Sequence, residues 1–139
     1  MRAMLKSKIH RVRINQVNLD CAGSVTMDRA LLEASDILHY ERVEVLNIDN
    51  GAGFGTYAVE GEANCGIIGV NDTAAQLAAK GDVVTILPYC QVPDDEAMGI
   101  VLTVVHHADS QNQIVEISFG APRWEKIGRS IAGAAAFDC

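Results

Sequence analysis

The sequence predicts a mainly β fold, a small barrel with two short helices, or three if its C-terminal segment adds one. Three observations predict it. Apolar and polar residues alternate with period two over several stretches, the mark of strands with one buried face. Turn signals recur between those stretches, Asn50-Gly51 and Pro93-Asp94-Asp95-Glu96 among them. Only two runs, both short, carry helical character, and many short strands with so few helices compose a small barrel.

Taken in order, Lys8 to Val17 alternates. Period two puts Val12 and Ile14 on one face together with Lys8 and His10, and Arg11 and Arg13 on the other. A cation and an imidazole on an apolar face either run past the buried part into solvent or line a cavity at the barrel mouth. Asp20-Cys21-Ala22-Gly23-Ser24-Val25-Thr26 is a polar bend. Met27 to Ala34 reads as a short helix, capped by Thr26 or Asp28, with Leu31 and Leu32 as its buried edge. Tyr40 to Ile48 is a strand. Asn50-Gly51 turns the chain, and a glycine-rich bend (Gly51, Gly53, Gly55) leads into a strand from Phe54 to Glu60. Cys65 to Val70 is short, apolar and glycine-bounded, which suits a buried strand. Thr73 to Lys80 is Ala-rich and reads as a helix ending at Gly81. Asp82 to Val92 is the longest apolar strand. Gly99 to His107 and Gln113 to Phe119 are strands flanking Asp109-Ser110-Gln111-Asn112. Residues 1–120 then form one barrel domain. Ala121 to Cys139, which holds the chain's single tryptophan, Trp124, is an extension, either a helix or a loose tail.

Bulk properties narrow the function. A chain of 139 residues, 49% apolar, is one domain with a real core. The net charge of −7, without a Lys/Arg cluster beyond Arg11 and Arg13, argues against nucleic acid as a partner. The N-terminus is basic but lacks the apolar stretch of a signal peptide, and no run approaches the roughly 18 apolar residues of a membrane span. A cytoplasmic protein is expected. Cys21, Cys65, Cys90 and Cys139 show no zinc-site spacing and are expected as free thiols. His106 and His107 are neighbours whose side chains point to opposite faces of a strand, a poor chelating pair. No metal is expected.

Several motifs stand in one order and spacing: Met4-Leu5-Lys6-Ser7-Lys8-Ile9-His10-Arg11-Val12, Gly23-Ser24, Asn50-Gly51-Ala52-Gly53-Phe54-Gly55-Thr56-Tyr57-Ala58, Val70-Asn71, and Val92-Pro93-Asp94-Asp95-Glu96-Ala97. Together they resemble the pyruvoyl-dependent aspartate 1-decarboxylases, over roughly residues 1 to 105. The resemblance implies a double-psi β-barrel assembled as a homotetramer, with active sites shared between neighbouring subunits. It implies that Ser24 attacks the carbonyl of Gly23 and that the bond between them breaks, converting Ser24 to a covalent pyruvoyl group. The chains would be residues 1–23 and 24–139. Glycine before the serine offers an unhindered carbonyl and tolerates strain.

Such a cofactor answers a chemical need. Decarboxylating an α-amino acid leaves a carbanion, which side chains alone stabilise poorly. The pyruvoyl ketone forms a Schiff base with the substrate amine and draws off the charge. By the same resemblance Thr56 positions the scissile carbonyl and contacts substrate, and Tyr57 reprotonates the carbanion. Asn71 hydrogen-bonds near the pyruvoyl group, Lys8 meets the substrate carboxylates, and His10 assists positioning or processing. Two residues depart from the family's pattern. Gly53 stands where an arginine grips a substrate carboxylate, and Cys21 stands where a tyrosine is usual. Three readings follow. The enzyme acts on L-aspartate, giving β-alanine, a pantothenate precursor, with another arginine (Arg11, Arg123, Arg129 or a neighbouring subunit's) in the grip. It decarboxylates a different small amino acid. Or it is an uncleaved, non-catalytic paralogue serving as a binding subunit. Cleavage is either spontaneous or assisted by a maturation factor.

Overall fold

The computed structural model describes residues 1–18, 24–71, 77–107 and 111–120. Its elements, in order, are β1 (Arg2–Leu5), β2 (Ser7–Arg13), β3 (Gln16–Asn18), β4 (Ser24–Asp28), α1 (Arg29–Ser35), β5 (Arg42–Asn47), β6 (Gly53–Gly61), β7 (Ile68–Asn71), β8 (Val83–Val92), a 3-10 turn (Ala97–Gly99), β9 (Thr103–His107) and β10 (Ile114–Phe119). The fold is mainly β, as the alternation predicts. One α-helix and one 3-10 turn stand among the described residues.

The strands close into a ring because β2 and β3 are successive parts of one extended run. β2 pairs antiparallel with β8, and the path continues through β5, β6, β4 and β7 to β3. The switch of partner happens at Ile14-Asn15. Ile14 N–H donates to Asp82 O at 2.9 Å, while Asn15 N–H donates to Ile68 O at 3.0 Å. The Asn15 side chain repeats the second contact, accepting from Ile68 N–H at 3.1 Å and donating to Gly66 O at 2.8 Å. β9 and β10 extend the wall from the first half of β2, and β1 pairs with the far half of β8. Inside the ring lies one core, with Ile9, Val12, Val25, Met27, Val43, Val45, Ala58, Ile68, Val70, Val84 and Ile86 each at most 1% exposed. Leu31 and Leu32 of α1 pack into it.

The structure departs from the sequence reading at several elements. The run expected from Lys8 to Val17 is two strands. Its alternation is also broken. Ile9 pairs with Ile86 and Val12 with Val84, so three steps on β2 face two on β8. Arg11 absorbs the extra residue at φ 59. This is a β-bulge. It corrects the expected faces, since Ile9, Val12 and Ile14 enter the core while Lys8 and His10 do not share their side. α1 begins at Arg29 rather than Met27, because Met27 and Asp28 continue β4 against β6 and β7. The strand expected from Cys65 starts at Ile68, after Gly66 at φ 74. β9 starts at Thr103 rather than Gly99, and β1 is a strand without a clear alternation of its own. Leu77 to Lys80 is not helical, and Thr73 to Gln76 lies outside the described residues. Ala121 to Cys139 also lies outside them.

Two polar side chains brace the ring from within. Asp28 is 2% exposed and caps α1 by accepting from Ala30 N–H at 2.8 Å. The same carboxylate accepts from Asn64 N–H and Gly66 N–H, each at 2.8 Å. Asn112, also buried, accepts from Arg13 N–H and donates to Arg13 O, both at 2.8 Å, and to Gly66 O at 2.9 Å.

Candidate active site

Ser24 opens β4, facing Asn71 at the end of β7 in an antiparallel register. Val25 and Met27 point into the core, so Ser24 and Thr26 lie on the other side of the strand. Ser24 is nevertheless only 3% exposed. Its Oγ accepts a hydrogen bond from Asn71 Nδ2 at 2.7 Å, and the same amide donates to Thr26 Oγ1 at 3.1 Å. A buried primary alcohol is thus held by an amide donor, at the first described residue after the bend. Gly23, Cys21 and Asp20 lie outside the described residues.

β6 runs parallel to β4, with Val25 level with Ala58. One step back along that register brings Tyr57 level with Ser24. Ala58 faces the core, so Tyr57 faces away from it, on the same side as Ser24. The Tyr57 ring lies 6.1 Å from that of Tyr40, tilted by 57°, and Tyr40 lies 3.8 Å from His39. His39 is itself anchored, its Nδ1 accepting from Glu60 N–H at 2.9 Å. Thr56 points to the opposite face from Tyr57 and pairs with Val43 of β5. Both Thr56 and Tyr57 are half-buried.

Lys8 and His10 belong to a different part of the wall. They line a cavity of about 170 Å3 together with Arg11 and with apolar walls from Leu46, Ile48 and Leu87. The bulge explains the grouping. His10 and Arg11 together oppose Thr85, which also lines the cavity, between the paired Ile9–Ile86 and Val12–Val84. Lys8 is 5% exposed. The His10 ring meets His106 edge-on at 5.8 Å, and His106 Nε2 lies 3.1 Å from Ser118 Oγ. Among the described residues, three basic side chains and no carboxylate line this cavity, a composition that suits a small anion. Gly53 sits beside it in register, level with Leu46.

The seven expected site residues therefore fall into groups. Ser24, Asn71 and Tyr57 come together around the start of β4. Lys8 and His10 share the basic cavity. Thr56 lies between these groups on β6, and Gly23 is outside the described residues. Ser24 and Asn71 are not among the cavity's lining residues. Sequence reasoning missed the cavity walls, Leu46 and Ile48, and the place of Thr26 beside Asn71. The alternation of β5 carried a signal for the first pair, since Leu46 and Ile48 stand opposite in phase to the core residues Val43 and Val45.

Among the described residues no three His, Cys, Asp or Glu side chains are grouped to hold a metal, and no helix is long and apolar enough to cross a membrane. Comparison with known proteins agrees with the motifs. Residues 1–115 match the family described as aspartate decarboxylase. An aspartate 1-decarboxylase of Clostridium botulinum (strain Loch Maree / Type A3) is 43% identical over 128 residues, covering 92% of this chain and 97% of its own. One of Caulobacter vibrioides is 51% identical over 102 residues, 73% of this chain and 86% of its own. One of Laribacter hongkongensis is 42% identical over 121 residues, 87% and 94% respectively. With the family's match running from the first strand through β9 and into β10, and with identities of this size over most of each chain, the protein belongs to the aspartate decarboxylase family.

Proposed function

We propose that the protein is a pyruvoyl-dependent decarboxylase that converts L-aspartate to β-alanine and carbon dioxide in the cytoplasm, as a homotetramer. The observation that carries this reading is the buried Ser24 Oγ receiving Asn71 Nδ2 at 2.7 Å. A serine in an ordinary turn has no need of burial or of a dedicated amide. The relatives named above all bear the name aspartate 1-decarboxylase, which favours aspartate over another small amino acid.

In this reading Ser24 Oγ attacks the Gly23 carbonyl, and the acyl group moves from nitrogen to oxygen. The ester then eliminates, the chain up to Gly23 leaving as a carboxylate, and hydrolysis of the dehydrated residue releases ammonia. The donor set fits the product. Position 24 presents an acceptor oxygen before and after conversion, and Asn71 Nδ2 is a donor. The pyruvoyl group supplies the electron sink that the reaction needs. Around it this chain's own residues do the rest. Tyr57, on the same side of the wall as Ser24, holds the proton delivered to the α-carbon after carbon dioxide leaves. Lys8 meets a substrate carboxylate, and the apolar walls of its cavity strengthen that pairing by excluding water. Thr56 and His10 position the reacting groups. The placement of Ser24 and Lys8 in separate parts of one chain's wall supports an assembly in which neighbouring subunits complete each site.

Intact-mass spectrometry under denaturing conditions tests the reading. The expected result is two chains split between Gly23 and Ser24, the larger carrying a pyruvoyl mass, with Ser24→Ala remaining a single chain. Purified wild type that stays uncleaved, alone and when co-expressed with candidate maturation factors, would remove the proposal.

A further inference from the structure

We propose that Arg11 is the second carboxylate anchor of the basic cavity, making it selective for dicarboxylates. This rests on the aspartate reading above and deepens it. Four observations carry it. Arg11 lines the cavity together with Lys8. Among the described residues its side chain makes no ion pair and no hydrogen bond, whereas Arg2 and Asp94, Arg13 and Gly81 O, Arg29 and Glu33, and Arg42 and Glu44 are all paired. Its backbone is held at φ 59, a left-handed conformation that residues other than glycine rarely adopt. Finally, Gly53 lies level with the cavity wall residue Leu46 and offers no charge there.

The chemistry follows from the substrate. An amino acid with a side-chain carboxylate brings two anions into a half-apolar cavity, and each needs a cation or remains uncompensated. Lys8 supplies one compact charge. Arg11 supplies a planar fork suited to bidentate pairing with the other. The bulge is what allows both. Without the extra residue, strict alternation would turn Arg11 away from the side that Lys8 and His10 share.

The cavity can be tested apart from catalysis. Succinate and butyrate, four-carbon acids with two and one carboxylates, are titrated calorimetrically into the assembled full-length protein. Wild type is expected to bind succinate in preference to butyrate, and Arg11→Gln to lose about thirtyfold or more of succinate affinity, the low end of what truncating one partner of a charge pair costs. Arg11→Lys retains part of it. The double variant Arg11→Gln/Gly53→Arg regains it, because a Cβ at Gly53 meets only Leu46 Cδ1 at 3.8 Å and Val45 O at 4.0 Å, ordinary contacts. In the cleaved enzyme KM for L-aspartate rises in parallel, with kcat little changed. Unchanged succinate affinity in Arg11→Gln, or no preference in wild type, overturns the assignment. Expected binding without carbon dioxide release from aspartate keeps the anchor and removes the aspartate reading. Activity with an unmoved KM in Arg11→Gln removes the anchor alone.

Discussion

Replacing Asp28 by alanine should cost roughly 2–4 kcal/mol of stability, and the structure says where each part comes from. The carboxylate caps α1 through Ala30 N–H, and removing an Asp cap costs about 1 kcal/mol. Gly66 N–H is buried and donates to Oδ2, and a buried donor left without its acceptor costs about 1–3 kcal/mol. Asn64 is exposed, so water takes over that bond and little is lost. For a chain of this size the sum lowers the melting temperature by roughly 6–16 °C. The assay is scanning calorimetry on the uncleaved Ser24→Ala background, so that one covalent chain is compared throughout. Asp28→Asn separates the parts. It keeps an acceptor for the cap but turns an amide donor toward one N–H, and should fall between wild type and Asp28→Ala. A melting temperature for Asp28→Ala within about 3 °C of its parent would refute the claim that this carboxylate ties β4 and α1 to the loop before β7.

Three further outcomes are expected. Tyr57→Phe should cleave normally yet lose about 10²–10⁴-fold in kcat, read by carbon dioxide release, since only the proton is removed. Gly66→Ala should be among the most damaging single changes. Gly66 sits at φ 74, and a Cβ there would lie 2.1 Å from Gln111 O, a backbone atom that cannot swing aside; soluble yield and melting temperature report it. Asp82 has its carboxyl held below the usual value of 3.8 by Asn47 Nδ2 and then by Ala79 N–H, against a smaller opposing effect of burial. A carboxylate depressed in the folded state adds stability that is fully present above the unfolded value and is lost as pH falls through the folded one. The stability advantage of wild type over Asp82→Asn in urea denaturation should therefore be largest above about pH 5 and shrink toward pH 3.

Most strands were legible because one face of each is buried and the other is not. The stretches from Tyr40 to Ile48 and from Asp82 to Val92 contain β5 and β8 with little adjustment. The failures share one cause. Where partners come from far along the chain, local pattern loses its authority. Arg11 has no residue-type signal for a bulge, because glycine or asparagine usually marks φ above zero, and its conformation is set by the register against β8. Met27 reads as helical by its neighbours but is drawn into β4 by pairing on both sides. Asn112 lies in an unremarkable polar turn, and only the fold reveals that it bonds to Arg13 and Gly66 O. The site divides in the same way. The resemblance to a known family, carried by motifs in their order and spacing, pointed to Ser24, Asn71, Tyr57, Lys8 and His10. That Asn71 reaches Ser24 across a β-ladder, and that Arg11 joins Lys8 in a cavity, is written in register rather than in composition.

The ring closes through the extended run that precedes the proposed cut. β1, β2 and β3 all belong to the shorter product, yet β2 lies between β8 and β9 and delivers Ile9 and Val12 to the core. Such a cut would leave a two-piece barrel joined, among the described residues, by hydrogen bonds, packing and the ion pairs of Arg2 with Asp94 and Lys6 with Glu41. On that proposal the order of events would be fixed. The uncut chain must fold first, because a separate fragment of three short strands has no partner of its own and would have to find one by diffusion. The proposed cleavage would also work as a ratchet on folding history. An uncut barrel that unfolds can return by an intramolecular route, whereas a cut one must reassemble from two molecules. The mature protein should accordingly refold from denaturant in a concentration-dependent way and less completely than Ser24→Ala, its robustness resting on how slowly it opens rather than on how readily it recovers.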